Sequence, residues 1–162
     1  MNSFIAFDIH QLFDAGYFSN QDYYFARTIT RIFKEDNALV SGACALVSRA
    51  LSQGHICIDI PKLSGTVIGI SEGGEKTLQL PGKSEWMSAL SSSSLVSGST
   101  RTPLVLDGDQ RLYLSKYFDI QHRLARNIAS RHFSRVSGID PSDIDLLLDQ
   151  CFSSDPWTLP QK

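Results

Sequence analysis

An α+β domain, mostly helical with a small β-sheet and hairpin, is the fold class that three features of the sequence predict. Apolar residues recur at helical spacing through residues 19–52 and again through 117–152. One short segment, Ile56 to Ile60, alternates with period two instead. The turn sequence Asp107-Gly108-Asp109-Gln110 then separates two β-prone runs, Leu104 to Leu106 and Arg111 to Leu114.

The elements follow in order. Asp8 to Ala15 reads as a short helix or turn closed by Gly16. Ser19 caps the next helix, with Asp22 as its third residue and Phe18 and Tyr23 placed for a hydrophobic staple. In that helix Tyr24, Phe25, Thr28, Ile29, Ile32 and Phe33 form an apolar stripe expected to pack on a neighbour, with Arg27, Arg31 and Lys34 outside. Asn37 to Ser52 is a further helix, with Leu39, Ala43, Leu46, Val47 and Ala50 on one side and Gly54 as its left-handed stop. The strand that follows turns Ile56, Ile58 and Ile60 inward, and Pro61 ends it. Residues 64–84, with five glycines, read as a long and partly mobile connection. Trp86 to about Leu95 is expected as a helix capped by Ser84. After the hairpin a helix is expected from Tyr117 to Phe133, with Ile120, Leu124, Ala125 and Ile128 on its apolar side. A last helix starts at the cap Asp140 and Pro141, with Asp143 near its positive end and Leu146, Leu147 and Leu148 inward. Residues 1–152 are thus read as one domain, and residues 153–162 as a polar, proline-containing linker. No internal repeat is visible.

Composition narrows the function. The 162 residues suffice to bury roughly two-thirds of the unfolded surface in one core. With 42% hydrophobic and 20% charged residues, the chain is not wholly disordered. Its net charge of -2 supplies no overall positive field for nucleic acid, so any DNA contact must be local. Cys44, Cys57 and Cys151 form no CxxC pair, which suits free thiols in a reducing compartment. No apolar run is long enough for a membrane span, and Met1 to Asp14 lack a signal-peptide pattern, so a cytoplasmic protein is expected.

Three constellations invite chemistry. Gly82-Lys83-Ser84 repeats the end of a P-loop, but Thr77 stands where the first glycine is needed and Pro81 has no amide to offer a phosphate. The segment therefore reads as a surface turn and helix cap. His55 and Cys57 share one face of the strand, yet no second pair stands at metal spacing, and a tetrahedral site needs more ligands. Lys116, Arg123, Arg126, Arg131 and Arg135 form a basic run opposed only by Asp119, followed by Asp140, Asp143, Asp145, Asp149 and Asp155 with no cation. Adjacent helices of opposite charge commonly pair or solvate their outer faces. As a functional surface, the basic run would meet a partner or DNA.

The segments ACALVSRALSQGHICIDI (residues 43–60) and TPLVLDGDQRLYLSKYFDIQHRLA (102–125), in this order and around the Trp86 helix, resemble the N-terminal domain of the exodeoxyribonuclease V alpha subunit, the RecD family of DNA helicases. Gly54, His55, Cys57, Pro103, Leu112, Tyr113 and Leu114 match that pattern, and each has a scaffold role as helix stop, strand or hairpin. The resemblance implies that superfamily 1 motor domains, with their ATP and magnesium sites, follow in the parent subunit, whose front domain this chain is. No catalytic, cofactor-binding or metal residue carries over, because the motifs that bear them are missing here. The implied partners are the gamma and beta subunits, with DNA met through the whole complex during double-strand-break repair. The implied role is subunit docking, chiefly to the gamma subunit. A stand-alone nucleic-acid adaptor using the basic helix near residues 123–135 is the alternative.

Overall fold

The computed structural model describes residues 3–5, 7–70, 76–99, 101–133 and 140–152. Two compact units, 1–123 and 124–162, divide the chain, where the sequence reading draws one domain to residue 152. The α+β class holds: helices dominate, accompanied by two small sheets.

The first unit begins with a strand, β1 (Ser3–Ile5), and a short helix, α1 (Ile9–Asp14). The Asp8 carboxylate caps α1 by accepting from the amides of His10 and Gln11, both at 3.0 Å. At the far end Gly16 takes φ 76°, and the amides of Tyr17 and Gly16 donate back to Leu12 O and Phe13 O at 2.9 Å each. This is a Schellman closure, which needs a left-handed residue. Helix α2 (Asn20–Phe33) starts with the expected capping box: the Asp22 amide donates to Ser19 Oγ at 3.3 Å, and the Ser19 amide to Asp22 Oδ2 at 3.1 Å. It ends on Lys34 in the left-handed region, φ 54°.

The face that α2 buries differs from the one its apolar pattern predicts. Tyr23, Ala26 and Thr30 point into the core; of the expected stripe Phe25 and Ile29 are half-buried against it, whereas Tyr24 and Ile32 are 57% and 66% exposed. The reason is the neighbouring helix, α3 (Ala38–Ser52), which is buried almost all round from Val40 to Ala50. Two helices approach closely where the facing side chains are small, and Ala26 meets that need better than a row of Tyr, Phe and Ile. Thr30 turns its hydroxyl onto Ala26 O at 2.9 Å, so burying it leaves no unpaired donor.

Asn37 caps α3 through the Leu39 amide at 2.9 Å. Gly54, φ 86°, closes it with a second Schellman motif, the amides of His55 and Gly54 donating to Ala50 O and Leu51 O. Strand β2 (Cys57–Asp59) follows; Ile58 and Ile60 are buried as expected, while Ile56 is exposed. Pro61 does more than end the strand. It sits in the first turn of a short helix, α4 (Ile60–Leu63), which Asp59 caps by accepting from the Lys62 amide at 3.1 Å.

Residues 64–84, expected as a long connection, carry two strands, β3 (Val67–Gly69) and β4 (Lys76–Gln79); residues 71–75 lie outside the described residues. They pair antiparallel, and β1 adds to β4 in parallel, giving a sheet ordered β1-β4-β3. Helix α5 (Lys83–Ser92) starts earlier than expected. Gly82 is its cap without a side-chain bond, so Ser84 lies within the first turn. Trp86 is fully buried, its Nε1 donating to Leu39 O at 3.3 Å and its ring meeting Phe7 edge-on at 5.5 Å.

The second sheet, ordered β2-β7-β6-β5, joins β5 (Val96–Ser97) to the predicted hairpin, β6 (Leu104–Leu106) and β7 (Arg111–Leu114). Asp107 organises the turn. Its Oδ1 accepts from the amides of Asp109 and Arg111 at 3.0 and 2.8 Å, and its Oδ2 from the Tyr113 hydroxyl at 3.1 Å. Gln110, not Gly108, takes the left-handed conformation, φ 62°.

Helix α6 (Ser115–Phe133) follows β7 with no intervening residue and starts two residues before the sequence places it. Its apolar side is unburied, Ile120, Leu124 and Ile128 all being exposed. In the second unit, α7 (Pro141–Phe152) is capped as expected, Asp140 Oδ1 accepting from the Ser142 amide at 3.0 Å. Leu146, Leu147 and Leu148 are exposed, contrary to the inward placement expected from sequence. Helical rotation cannot turn three successive leucines to one side. The linker expected at 153–162 lies outside the described residues.

Candidate docking surface

Four of the five sequence-predicted cations, Lys116, Arg123, Arg126 and Arg131, lie exposed on α6, and Arg135 lies outside the described residues. Helical periodicity brings Lys116, Arg123 and Arg126 onto one edge, at positions i, i+7 and i+10, and carries Arg131 round toward the Ile120–Ile128 stripe. Arg123 also makes an ion pair with Asp119 at 3.8 Å across one turn. The structure thus assembles a basic edge beside an apolar stripe on one helix.

A second apolar surface, outside the set of site residues predicted from sequence, lies on α2. Tyr24, Phe25, Thr28, Ile29 and Ile32 line a shallow groove of about 420 Å³. Phe25 also borders a neighbouring groove of about 320 Å³, whose far wall includes Leu51, Leu114 and Tyr117. The signal was present in the sequence: α2 has two apolar faces, and only the one with Ala26 fits a close helix pair.

His55 and Cys57 come together in a third cleft, of about 340 Å³, between the end of α3 and α4. Its charged groups are already engaged. Arg49 Nη1 donates to Tyr17 O at 2.6 Å, and the guanidinium stacks 4.3 Å from the Tyr17 ring centre. Burial pushes the Tyr17 phenol above its usual range despite the opposing pull of Arg49. Lys62 Nζ meets Asp59 Oδ2 at 3.1 Å, and the Lys62 amide bond is the main cause holding the Asp59 carboxyl below its usual range. Among the described residues no group of three or more His, Cys, Asp or Glu is placed to hold a metal ion. Lys83 stands exposed at the head of α5 behind Gly82 and Pro81, with the latter lacking the amide that a phosphate cradle requires. Among the described residues no helix is long and apolar enough to cross a membrane.

Comparison with curated proteins gives no match. Residues 14–113, from the last turn residue of α1 to Tyr113 in β7, match the family described as RecBCD enzyme subunit RecD, N-terminal domain. That span holds α2 through β6 and all but the last residue of β7, and it covers more than half of the 162 residues. On this match, and on a fold in which its segments form one core with its sheet and hairpin, the chain belongs to the RecD N-terminal domain family of the RecBCD enzyme.

Proposed function

We propose that this chain is a non-catalytic subunit-docking domain of an exodeoxyribonuclease V alpha subunit, an ATP-dependent 5′ to 3′ helicase acting in recombinational repair of double-strand breaks. What supports the reading, beyond the family, is that Tyr24 and Ile32 of α2 and Ile120, Leu124 and Ile128 of α6 stay on the surface, outside the core cluster. Exposed apolar surface on this scale marks an interface more often than a solvated face. On this reading the gamma subunit is the direct partner, the beta subunit and DNA are met through the complex, and ATP and magnesium belong to the motor domains of the parent subunit. The test is capture of purified gamma subunit, alone and with the beta subunit, by the folded chain. Stoichiometric retention is expected, and failure to retain either subunit would sink the reading.

A second reading rests on the exposed cations Lys116, Arg123, Arg126 and Arg131, which would make α6 a contact for nucleic acid. It predicts affinity that falls steeply with salt. Neutralising Arg123, Arg126 and Arg131 should then reduce the slope of log K against log salt by about 2 for single strands. An unchanged slope removes it.

A further inference from the structure

The trough formed by the two grooves that share Phe25 has a chemistry that selects its occupant. It runs along the outer face of α2 and across to Leu51, Leu114 and Tyr117. From Tyr24 to Ile32 alone it extends about 12 Å, roughly two helical turns. We propose that it receives an amphipathic α-helix of a partner protein, apolar on one side and bordered by Asp or Glu. This deepens the docking reading and rests on it.

Charge supports that choice. Arg31, exposed, follows the border of the α2 stripe, whereas Arg27 is turned away from it, Nη1 donating to the Tyr23 hydroxyl at 3.4 Å in a cleft lined also by Asp8, Glu35 and Asp36. The acidic residue of α2, Asp22, is buried in the capping box and offers the trough nothing. Beyond Tyr117, Lys116 and Arg123 border the first turns of α6, where Asp119 is already held by Arg123. Each margin therefore carries an exposed cation, Arg31 on one side and Lys116 on the other, and a helix edged with carboxylates would meet opposite charge on each side. A second copy of the chain fits poorly. An antiparallel two-fold pairing of this face on itself would set Arg31 against its own like charge, and a parallel one would set it against the Lys116 margin.

The backbone argues for a helix over a strand. The trough is walled by side chains of α2 and α3, and the strand that reaches it, β7, already has β2 and β6 on its two sides. It offers no free edge for strand addition. A helix placing residues at i, i+3, i+4 and i+7 against Tyr24, Phe25, Thr28 and Ile32 matches the spacing of the groove.

The experiment measures binding of the full chain to the gamma and beta subunits together, by titration calorimetry at two salt concentrations. Tyr24→Ser/Ile32→Ser tests the apolar floor, and Arg31→Glu/Lys116→Glu tests the margins; all four positions lie at the surface or its edge, and unchanged melting confirms folding. Each pair is expected to weaken binding at least tenfold, and the charge reversal to flatten the salt dependence. Hydrogen exchange should show new protection at residues 24–32 and 114–120 in the complex. If the unaltered chain does not bind, the docking reading fails and the trough with it. If it binds and both variants bind equally well, docking stands and the trough is overturned. Self-association of the chain that Ile32→Ser abolishes would overturn the partner helix in favour of a second copy.

Discussion

Gly42 shows how tightly one residue is specified. It lies in the middle of α3, where glycine weakens a helix by about 0.5–1 kcal/mol relative to alanine. A methyl group there would collide with the Phe7 ring, and that ring is held against Trp86, itself fully buried. Overpacking wins over propensity, so Gly42→Ala is expected to destabilise by about 1–2 kcal/mol in urea unfolding. Adding Phe7→Leu should recover part of the loss. Lys34 is the opposite case: a left-handed residue with a side chain, exposed, where glycine would relieve strain. Lys34→Gly should raise stability by about 0.5–1 kcal/mol. Two buried groups set the alkaline limit. Burial pushes the Tyr113 phenol from 10.0 up to about 12, and the Cys44 thiol from 9.0 up to about 12. Both folded values exceed the unfolded ones, so their contribution is whole below about pH 9 and is lost as pH rises toward 12. Urea midpoints should fall between pH 9 and 11.5, and less steeply in Tyr113→Phe.

Among the elements, the hairpin depends on one carboxylate. Asp107→Ala would strip the turn amides of their acceptor and take from the Tyr113 hydroxyl one of its two side-chain partners, leaving Arg111, for a loss of about 1–3 kcal/mol by chemical denaturation. The hairpin was legible because its turn residues and flanking β-branched and aromatic residues agree. The capping box of α2, the cap of α7 and the glycine stops at Gly16 and Gly54 were legible for the same reason: each is a local motif with its own chemistry. Burial was less so. Which face of α2 turns inward depends on α3, a partner its own periodicity cannot name. Strands β1, β3 and β4 were hidden because each is three or four residues long and gains its identity from a distant neighbour. For the candidate surface, the cations of α6 could be read from the sequence, whereas the α2 trough needed the fold to show which stripe is left outside.

At the scale of the molecule, stability is uneven. Helix α3 is enclosed from Val40 to Ala50 by α1, α2, α5 and β2, while the described side chains of α7 are all exposed. A 12-residue helix whose described side chains are all exposed is marginal in water. Hydrogen exchange of the free chain should therefore leave α7 nearly unprotected and slow the α3 amides by orders of magnitude. Protection of α7 as strong as that of α3 would show that its apolar side is covered in solution. The pairing pattern has a further effect on how the chain is made. Strand β1 waits for residues 76–78, and β2 for residues 111–113, before either sheet can close. At roughly 5–20 residues per second, the apolar circumference of α3 leaves the ribosome several seconds before its last covering strand exists. Nascent chains halted between residues 60 and 110 would carry that helix covered by α1 and α2 but not yet by the completed second sheet, and they are where chaperones should be found.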